Sequence, residues 1–262
     1  MPYTWDAAEY AKHSSQQQIW ARELIDKLAL RGDERVLDIG SGDGKVTAEI
    51  AACVPRGSVV GIDNSEQMVV LAQQTYPPPR VPNLHFQQED ARSLPFRNEF
   101  DVVFSNATLH WIRDHRPVLQ GIARSLVNGG KALLQMGGRG NAADVLALLD
   151  RLVVSSRWAS YFGGFSFAYG FYAPDEYMPW LRDADLTPRR VELIAKDMTH
   201  DGKAGLAGWI RTTWLPYTQR IPEQERDAFI GELVETYVDE HPLDAQGKVH
   251  VQMVRLEVEA TK

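Results

Sequence analysis

Between Arg35 and about Met136, short apolar runs alternate with amphipathic segments. "RVLDIG", "SVVGID", "FDVVFSN" and "GGKALLQM" are near-continuously apolar, and "LHFQQED" is a shorter run between them. The intervening "KVTAEIAACV", "SEQMVVLAQQTY" and "DHRPVLQGIARSLV" carry apolar residues at helical spacing, with Ser65 placed as an N-cap. Strands apolar along their whole length are buried on both faces, and their alternation with helices makes them parallel. The pattern predicts a doubly wound α/β sheet.

The flanks are less regular. Trp5 to Ala29 reads as one or two helices ahead of the first strand. Beyond Met136, "AADVLALLDRLVVSSRW" is helical, "WASYFGGFSFAYGFYAP" is an aromatic loop, and "PDEYMPWLRDADL" is a further helix. "RRVELIAKDMTH" is the sixth strand; helical segments near 204–219 and 222–240 precede a seventh, "KVHVQMVRLEVEA". The expected domains are an N-terminal helical lid over 1–34, a ligand-binding core over 35–137, and a C-terminal part over 138–262. In this last part, about 140–180 and 202–242 would cap the carboxyl ends of the strands, where open α/β sheets bind ligands.

At 262 residues the chain holds one α/β domain with an elaboration. Its 44% hydrophobic and 24% charged residues are those of a soluble globular protein. A formal charge of −7 argues against nucleic acid as partner, because phosphate binding needs concentrated cations. Cys53 is the single cysteine, so no internal disulfide forms; it reads as a core residue, and no cluster suggests a metal. The start lacks a basic-then-apolar leader and no run spans a bilayer, so a soluble, cytoplasmic monomer without membrane insertion is expected.

The chemistry begins at Asp38, Gly40, Gly42 and Gly44, a D-x-G-x-G-x-G turn between the first strand and its helix. Glycines there allow a tight turn and close approach of a ligand to the backbone. A dinucleotide fingerprint, G-x-G-x-x-G, places its third glycine one residue later and a pyrophosphate on the helix start. Here Asp38 and Asp43 make the turn acidic, which suits a cationic ligand. Nineteen residues beyond Gly44, Asp63 ends the second strand, where a carboxylate accepts from both ribose hydroxyls.

This segment resembles motif I of the class I S-adenosylmethionine-dependent methyltransferases. "EDARSLPF" is similar to their acidic loop after the third strand, and "FDVVFSNATLHWI" to their fourth-strand motif. The resemblance implies a mostly parallel, seven-stranded Rossmann-like sheet with N-terminal helices and a late helical cap. It implies S-adenosyl-L-methionine as cofactor, leaving as S-adenosyl-L-homocysteine. The implied cofactor residues are Asp38, Gly40, Ser41, Gly42, Gly44, Asp63, Asn64 and Asn106, with Met68 packing on the adenine and Asp90 and Ala91 reading its amino edge.

"YTWDAAEYAKHSSQQQ", "TLHW" and the late helical insert narrow the resemblance to the trans-aconitate and insect juvenile hormone acid methyltransferases, which methylate carboxylates. It implies a small-molecule acceptor, a carboxylic acid, oriented by Gln17 (Gln16 in the other register) and Trp111, with Tyr10 and His13 closing over the cofactor. A carboxylate is ionised at neutral pH, its pKa being about 4, so no base is needed. Neutral donors orient it without suppressing its nucleophilicity, as a bidentate Arg would. In-line transfer then depends on alignment and a dry site.

Alternatives stand beside this reading. His110 could be the base for a C-, N- or hydroxyl-O-acceptor, or it could orient or pack. The aromatic loop containing Trp158, Phe165 and Tyr169 is either a small core or an acceptor wall faced by Trp209, Trp214 and Tyr217. Arg139 and Arg211 are candidate anchors for a second carboxylate, or plain surface cations. A nicotinamide oxidoreductase and a non-catalytic cofactor-binding subunit are the remaining classes.

Overall fold

The computed structural model describes the backbone from Ser15 to Lys262 and the side chains from Trp20 onward. The first helix among the described residues is α1 (Ser15–Leu28). The alternating core follows as β1 (Arg35–Ile39), α2 (Lys45–Cys53), β2 (Ser58–Asp63), α3 (Glu66–Thr75), β3 (Leu84–Gln88) and β4 (Phe100–Asn106). Then come α4 (Arg116–Ser125), β5 (Leu126–Gly137), α5 (Ala143–Val153), α6 (Pro174–Asp183) and β6 (Thr187–Asp201). The chain ends with α7 (Gly202–Thr213), α8 (Leu215–Thr218), α9 (Glu223–Glu240) and β7 (Lys248–Thr261).

The strands form one seven-stranded sheet in the order β3-β2-β1-β4-β5-β7-β6. β3, β2, β1, β4 and β5 are parallel neighbours, and β7 pairs antiparallel with β5. The chain reverses its direction of travel across the sheet between β1 and β4. A crevice at the carboxyl ends of those two strands is the switch point at which such sheets take ligands.

Two compact units share the chain. The first comprises Gln17–Arg139, Tyr169–Ile194 and Arg255–Lys262, and the second includes Gly140–Ala168 and Ala195–Val254. In the first, both faces of β1 are buried, as its apolar sequence requires. Leu37 and Ile39 pack with Val103, Leu134 and the α4 residues Val118, Leu119 and Ile122. Val36 on the opposite face packs with Val59, Phe104 and the α1 residues Leu24 and Leu28.

The second unit has its own core. α9 lies against α5 and α7, with Leu148, Leu149, Leu206, Ile210, Phe229, Ile230 and Leu233 buried. Trp158 meets Phe229 edge-on at 5.3 Å, and Phe165 lies 4.7 Å from Tyr217. A fully buried aromatic of this size contributes roughly 2–4 kcal/mol.

Three local readings are corrected. The helix after the fourth strand stops at Ser125, not Val127, because Leu126 pairs with Phe100 and opens β5 early. The segment near 204–219 is two helices broken at Trp214, since Pro216 has no N–H for the carbonyl four residues back. Cys53 is exposed rather than core: Thr47, Ile50 and Ala51 take the sheet-facing stripe of α2, and Cys53 falls outside it.

Candidate active site

The glycine turn is assembled from both sides. Gly40 and Ser41 donate backbone N–H bonds of 2.7 and 2.9 Å to the Ile62 carbonyl, tying the turn to the end of β2. Gly40, Gly42 and Gly44 have φ of +81°, +53° and +83°, the left-handed region that L side chains avoid. A Cβ on Gly40 would stand 2.1 Å from Thr108 Oγ1, and one on Gly44 would stand 2.7 Å from Phe86 Cζ. A Cβ on Gly42 would meet nothing within 4 Å, so the centre of the turn faces open space.

Two carboxylates flank that space. Asp63 accepts from Gly42 N at 3.1 Å and Ser65 N at 2.9 Å, one donor to each oxygen, which leaves further lone pairs on both. Asp38 is buried at the end of β1 and accepts from Thr47 Oγ1 at 2.7 Å. Burial pushes the Asp38 carboxyl up to about 7, with the nearby charge of Asp63 adding to the effect. Burial also raises Asp63. Two carboxylates held above their ordinary range favour a cation between them. Ser41 Oγ is buried and makes no hydrogen bond among the described residues. These residues fit a cationic nucleoside whose sugar hydroxyls reach Asp63.

The other predicted cofactor residues surround the same strand ends. Met68 is buried on α3, behind the cap in which Ser65 Oγ accepts from its N–H at 3.4 Å. Asn64 is exposed beside Asp63, and Gln88 Nε2 donates to its carbonyl at 3.1 Å. Glu89 N donates to the Asp63 carbonyl at 3.1 Å, which carries the chain on to Asp90 and the buried Ala91. Asp90 caps the turn that follows and is paired with Arg92 at 2.5 Å, which holds its carboxyl below the usual range. Asn106 ends β4.

After Asn106 the backbone bends sharply. Ala107 has φ +57°, a conformation that costs a non-glycine residue about 1 kcal/mol or more and marks many working sites. Thr108 then lies against the glycine turn, with Oγ1 3.3 Å from the Gly40 carbonyl. The LHW turn places His110 inside and Trp111 half-buried at its edge. Gly137 N donates to His110 Nδ1 at 3.4 Å, which puts the ring proton on Nε2. Burial, the charge of Arg255 and His115 hold His110 well below its ordinary pKa, so the ring is neutral.

Tyr169 lies 5.1 Å from Trp111 and stacks on Phe171 at 5.3 Å. Gly170 locks that strip down, donating from its N to the His110 carbonyl at 2.8 Å. A Cβ on Gly170 would stand 2.4 Å from the Ile112 carbonyl oxygen. Beneath it His115 donates through Nε2 to the Ile112 carbonyl and accepts at Nδ1 from the Tyr177 hydroxyl, each at 2.9 Å. Burial lowers the His115 pKa to about 4.

Gln17 is on α1, where its backbone is described and its side chain is not; Tyr10 and His13 lie outside the described residues. Trp158, Trp209 and Trp214 are buried in the second unit, and Phe165 is half-buried there. The Trp158 N–H donates to Glu232 at 3.0 Å, whereas Trp209 Nε1 and the Tyr217 hydroxyl are buried with no hydrogen-bond partner among the described residues. Arg139 is paired with Glu176 at 2.7 Å and Arg211 with Asp227 at 2.7 Å, both at the surface. Thr47, His115 and Tyr177 went unmarked in the sequence, and Thr108 was marked only as the first residue of "TLHW". Only the position of Thr108, two residues past Asn106 and beside the LHW turn, offered a signal.

A switch-point crevice with an acidic glycine turn, in a sheet whose last strand inserts antiparallel between β5 and β6, defines a class I S-adenosylmethionine-dependent methyltransferase. Residues 36–130 match the family described as a methyltransferase domain. The trans-aconitate 2-methyltransferase of Streptomyces coelicolor is 30% identical over 93% of this chain and 82% of its own length. That of Methylobacterium nodulans is 28% identical over 96% of both chains. Among solved structures, the YcgJ protein of Bacillus subtilis has a TM-score of 0.64 at 21% identity, covering 92% of this chain and 97% of its own.

A phosphoethanolamine N-methyltransferase of Haemonchus contortus, solved with S-adenosyl-L-methionine, has a TM-score of 0.58 at 19% identity. It covers 93% of this chain and 52% of its own. The chain belongs to the S-adenosylmethionine-dependent methyltransferases and, within them, is related over nearly its whole length to the trans-aconitate 2-methyltransferases. It is an enzyme with S-adenosyl-L-methionine as its cofactor, and the nicotinamide and non-catalytic alternatives fall with that finding. No helix among the described residues is long and apolar enough to cross a membrane.

Proposed function

We propose that the enzyme methylates a carboxylate oxygen of a small organic acid. The bound cofactor supplies a methyl carbon on a positively charged sulfur. Asp38 and Asp63 bind its cationic and ribose groups against the glycine turn, with Ser41 Oγ as a further donor. His110 and Trp111 hold the acceptor at the end of β4, with Gln17 as a third neutral donor from α1.

The observation that carries this reading is the state of His110. Its Nδ1 is taken by the Gly137 N–H and its ring is kept neutral by burial, so Nε2 carries a proton and has no lone pair with which to accept another. That is a hydrogen-bond donor, suited to an acceptor already ionised. A hydroxyl, amine or carbon acid would need a base, and the ring is poorly placed to be one. Neutral donors orient a carboxylate oxygen without the charge that would blunt its attack.

Trans-aconitate, the acid in the relatives' names, is the first acceptor to try, beside other di- and tricarboxylates, phenols and amines. Methyl-labelled cofactor should yield a base-labile ester from an acid. Label confined to a phenol, an amine or a base-stable product would refute the proposal.

A further inference from the structure

The turn that carries His110 is clamped at two carbonyls. That of His110 itself accepts from Gly170 N at 2.8 Å, and that of Ile112 accepts from His115 Nε2 at 2.9 Å. A Cβ on Gly170 would stand 2.4 Å from the Ile112 oxygen and 2.9 Å from His115 Nε2, so only glycine leaves the second bond room. His115 is held in turn. It is fully buried just ahead of α4, its carbonyl accepts from Leu119 N at 2.9 Å, and its ring meets Tyr172 edge-on at 4.9 Å. The Ile112 carbonyl can only accept, so the proton of the neutral ring is on Nε2. Nδ1 then accepts from the hydroxyl of Tyr177, a fully buried side chain on α6, at 2.9 Å. A charge on His115 lowers the pKa of His110, which places the two rings within electrostatic reach of each other.

We propose that His115 is a positioning residue for methyl transfer: through the Ile112 carbonyl it holds the turn that presents the His110 ring to the acceptor. This rests on the carboxylate reading above, in which His110 donates to the acceptor. The LHW turn is a single short 3₁₀ turn, whose own hydrogen bonds are too few and too poorly aligned to fix a side chain. In-line transfer depends on alignment, and a displacement of about 1 Å can cost roughly 100-fold in rate. The two ring nitrogens of His115 have separate tasks. Nε2 holds the turn, and Tyr177 at Nδ1 fixes the tautomer in which Nε2 can donate.

The two nitrogens can be replaced separately. A Gln amide reaches the place of Nε2 and can still donate to Ile112, whereas an Asn amide reaches only that of Nδ1. His115→Asn should raise KM for the acid roughly tenfold, with affinity for S-adenosylhomocysteine within about twofold of wild type, and His115→Gln should recover most of the loss. In a His110→Gln background, where the imidazole is already gone, His115→Asn should add little. Loosening of the fold alone would add its full effect in that background and would not be relieved by Gln. Either result, or an unchanged KM, would overturn the proposal. Gly170→Ala pushes the same carbonyl and should raise KM alike, which carries the test should His115→Asn not fold. The His110 Cε1–H resonance, identified by its loss in His110→Gln, needs no acceptor: it should move in His115→Asn and return in His115→Gln. That behaviour with no acid methylated would sink the carboxylate reading and keep the positioning role. Acids methylated with the resonance unmoved in His115→Asn would do the reverse.

Discussion

Replacing Asp38 by Asn should separate cofactor affinity from stability in opposite directions. Asp38 is buried, its carboxyl is pushed up to about 7, and it sits beside Asp63 at the turn. A cationic ligand needs the ionised form, so affinity should follow the ionised fraction. With a pKa near 7 that fraction is roughly 1 in 11 at pH 6 and 10 in 11 at pH 8, a tenfold change worth about 1.4 kcal/mol. Titration calorimetry with S-adenosylhomocysteine, in buffers of different ionisation enthalpy, should show close to one proton released per binding event at pH 6 and almost none at pH 8.

For folding the sign runs the other way. The pKa of Asp38 is raised above its ordinary 3.8, so the unfolded chain ionises first and stability is lost as pH climbs from 3.8 to about 7. Asp38→Asn removes that loss. The variant should unfold at higher denaturant than wild type at pH 8, by on the order of 4 kcal/mol, while binding the cofactor more weakly and without pH dependence. Flat wild-type affinity across pH 6–8, or no proton release at pH 6, would refute the reasoning.

Other substitutions probe separate parts of the account. Asp63→Ala removes the acceptor for two sugar hydroxyls and should weaken cofactor binding by about two orders of magnitude in the same calorimeter, with Tm little changed. Gly40→Ala forces a Cβ to 2.1 Å from Thr108 at φ +81°, and should cost at least about 2 kcal/mol in urea unfolding; wild-type stability would contradict the turn geometry. His115 has its pKa lowered to about 4 from an ordinary 6.5, so its contribution is intact above 6.5 and falls with acidity. Between pH 7 and 5 wild type should lose about 2 kcal/mol that His115→Asn does not lose. Trp111→Phe keeps the ring and deletes the N–H, and should raise KM for the acid roughly tenfold with cofactor affinity unaltered.

Much of the sheet is legible in the chain because its chemistry is local. A strand buried on both faces must be apolar throughout, and "RVLDIG" and "FDVVFSN" announce β1 and β4 without reference to anything distant. The glycine spacing and Asp63 are legible for the same reason, being set by one turn and one strand end. Thr108 is not, because its importance is a contact with Gly40 across 68 residues. The His115–Tyr177 bond spans 62 residues and leaves no mark in either segment. Arg255 looks like one more cation in an amphipathic strand until β7 is seen to insert beside β5, which aligns it with Gly137. Cys53 shows the converse error: a sulfur on a helix beside the core was expected inside, and one helical step placed it outside.

The most direct measurement is the fate of a 13C-methyl group carried on the cofactor and offered with an unsaturated tricarboxylate. A transferred carbon resonating as a methyl ester, and released as methanol by mild alkali, is the predicted result. A signal on nitrogen, carbon or an aryl oxygen from some other acceptor, with every acid untouched, would contradict the account.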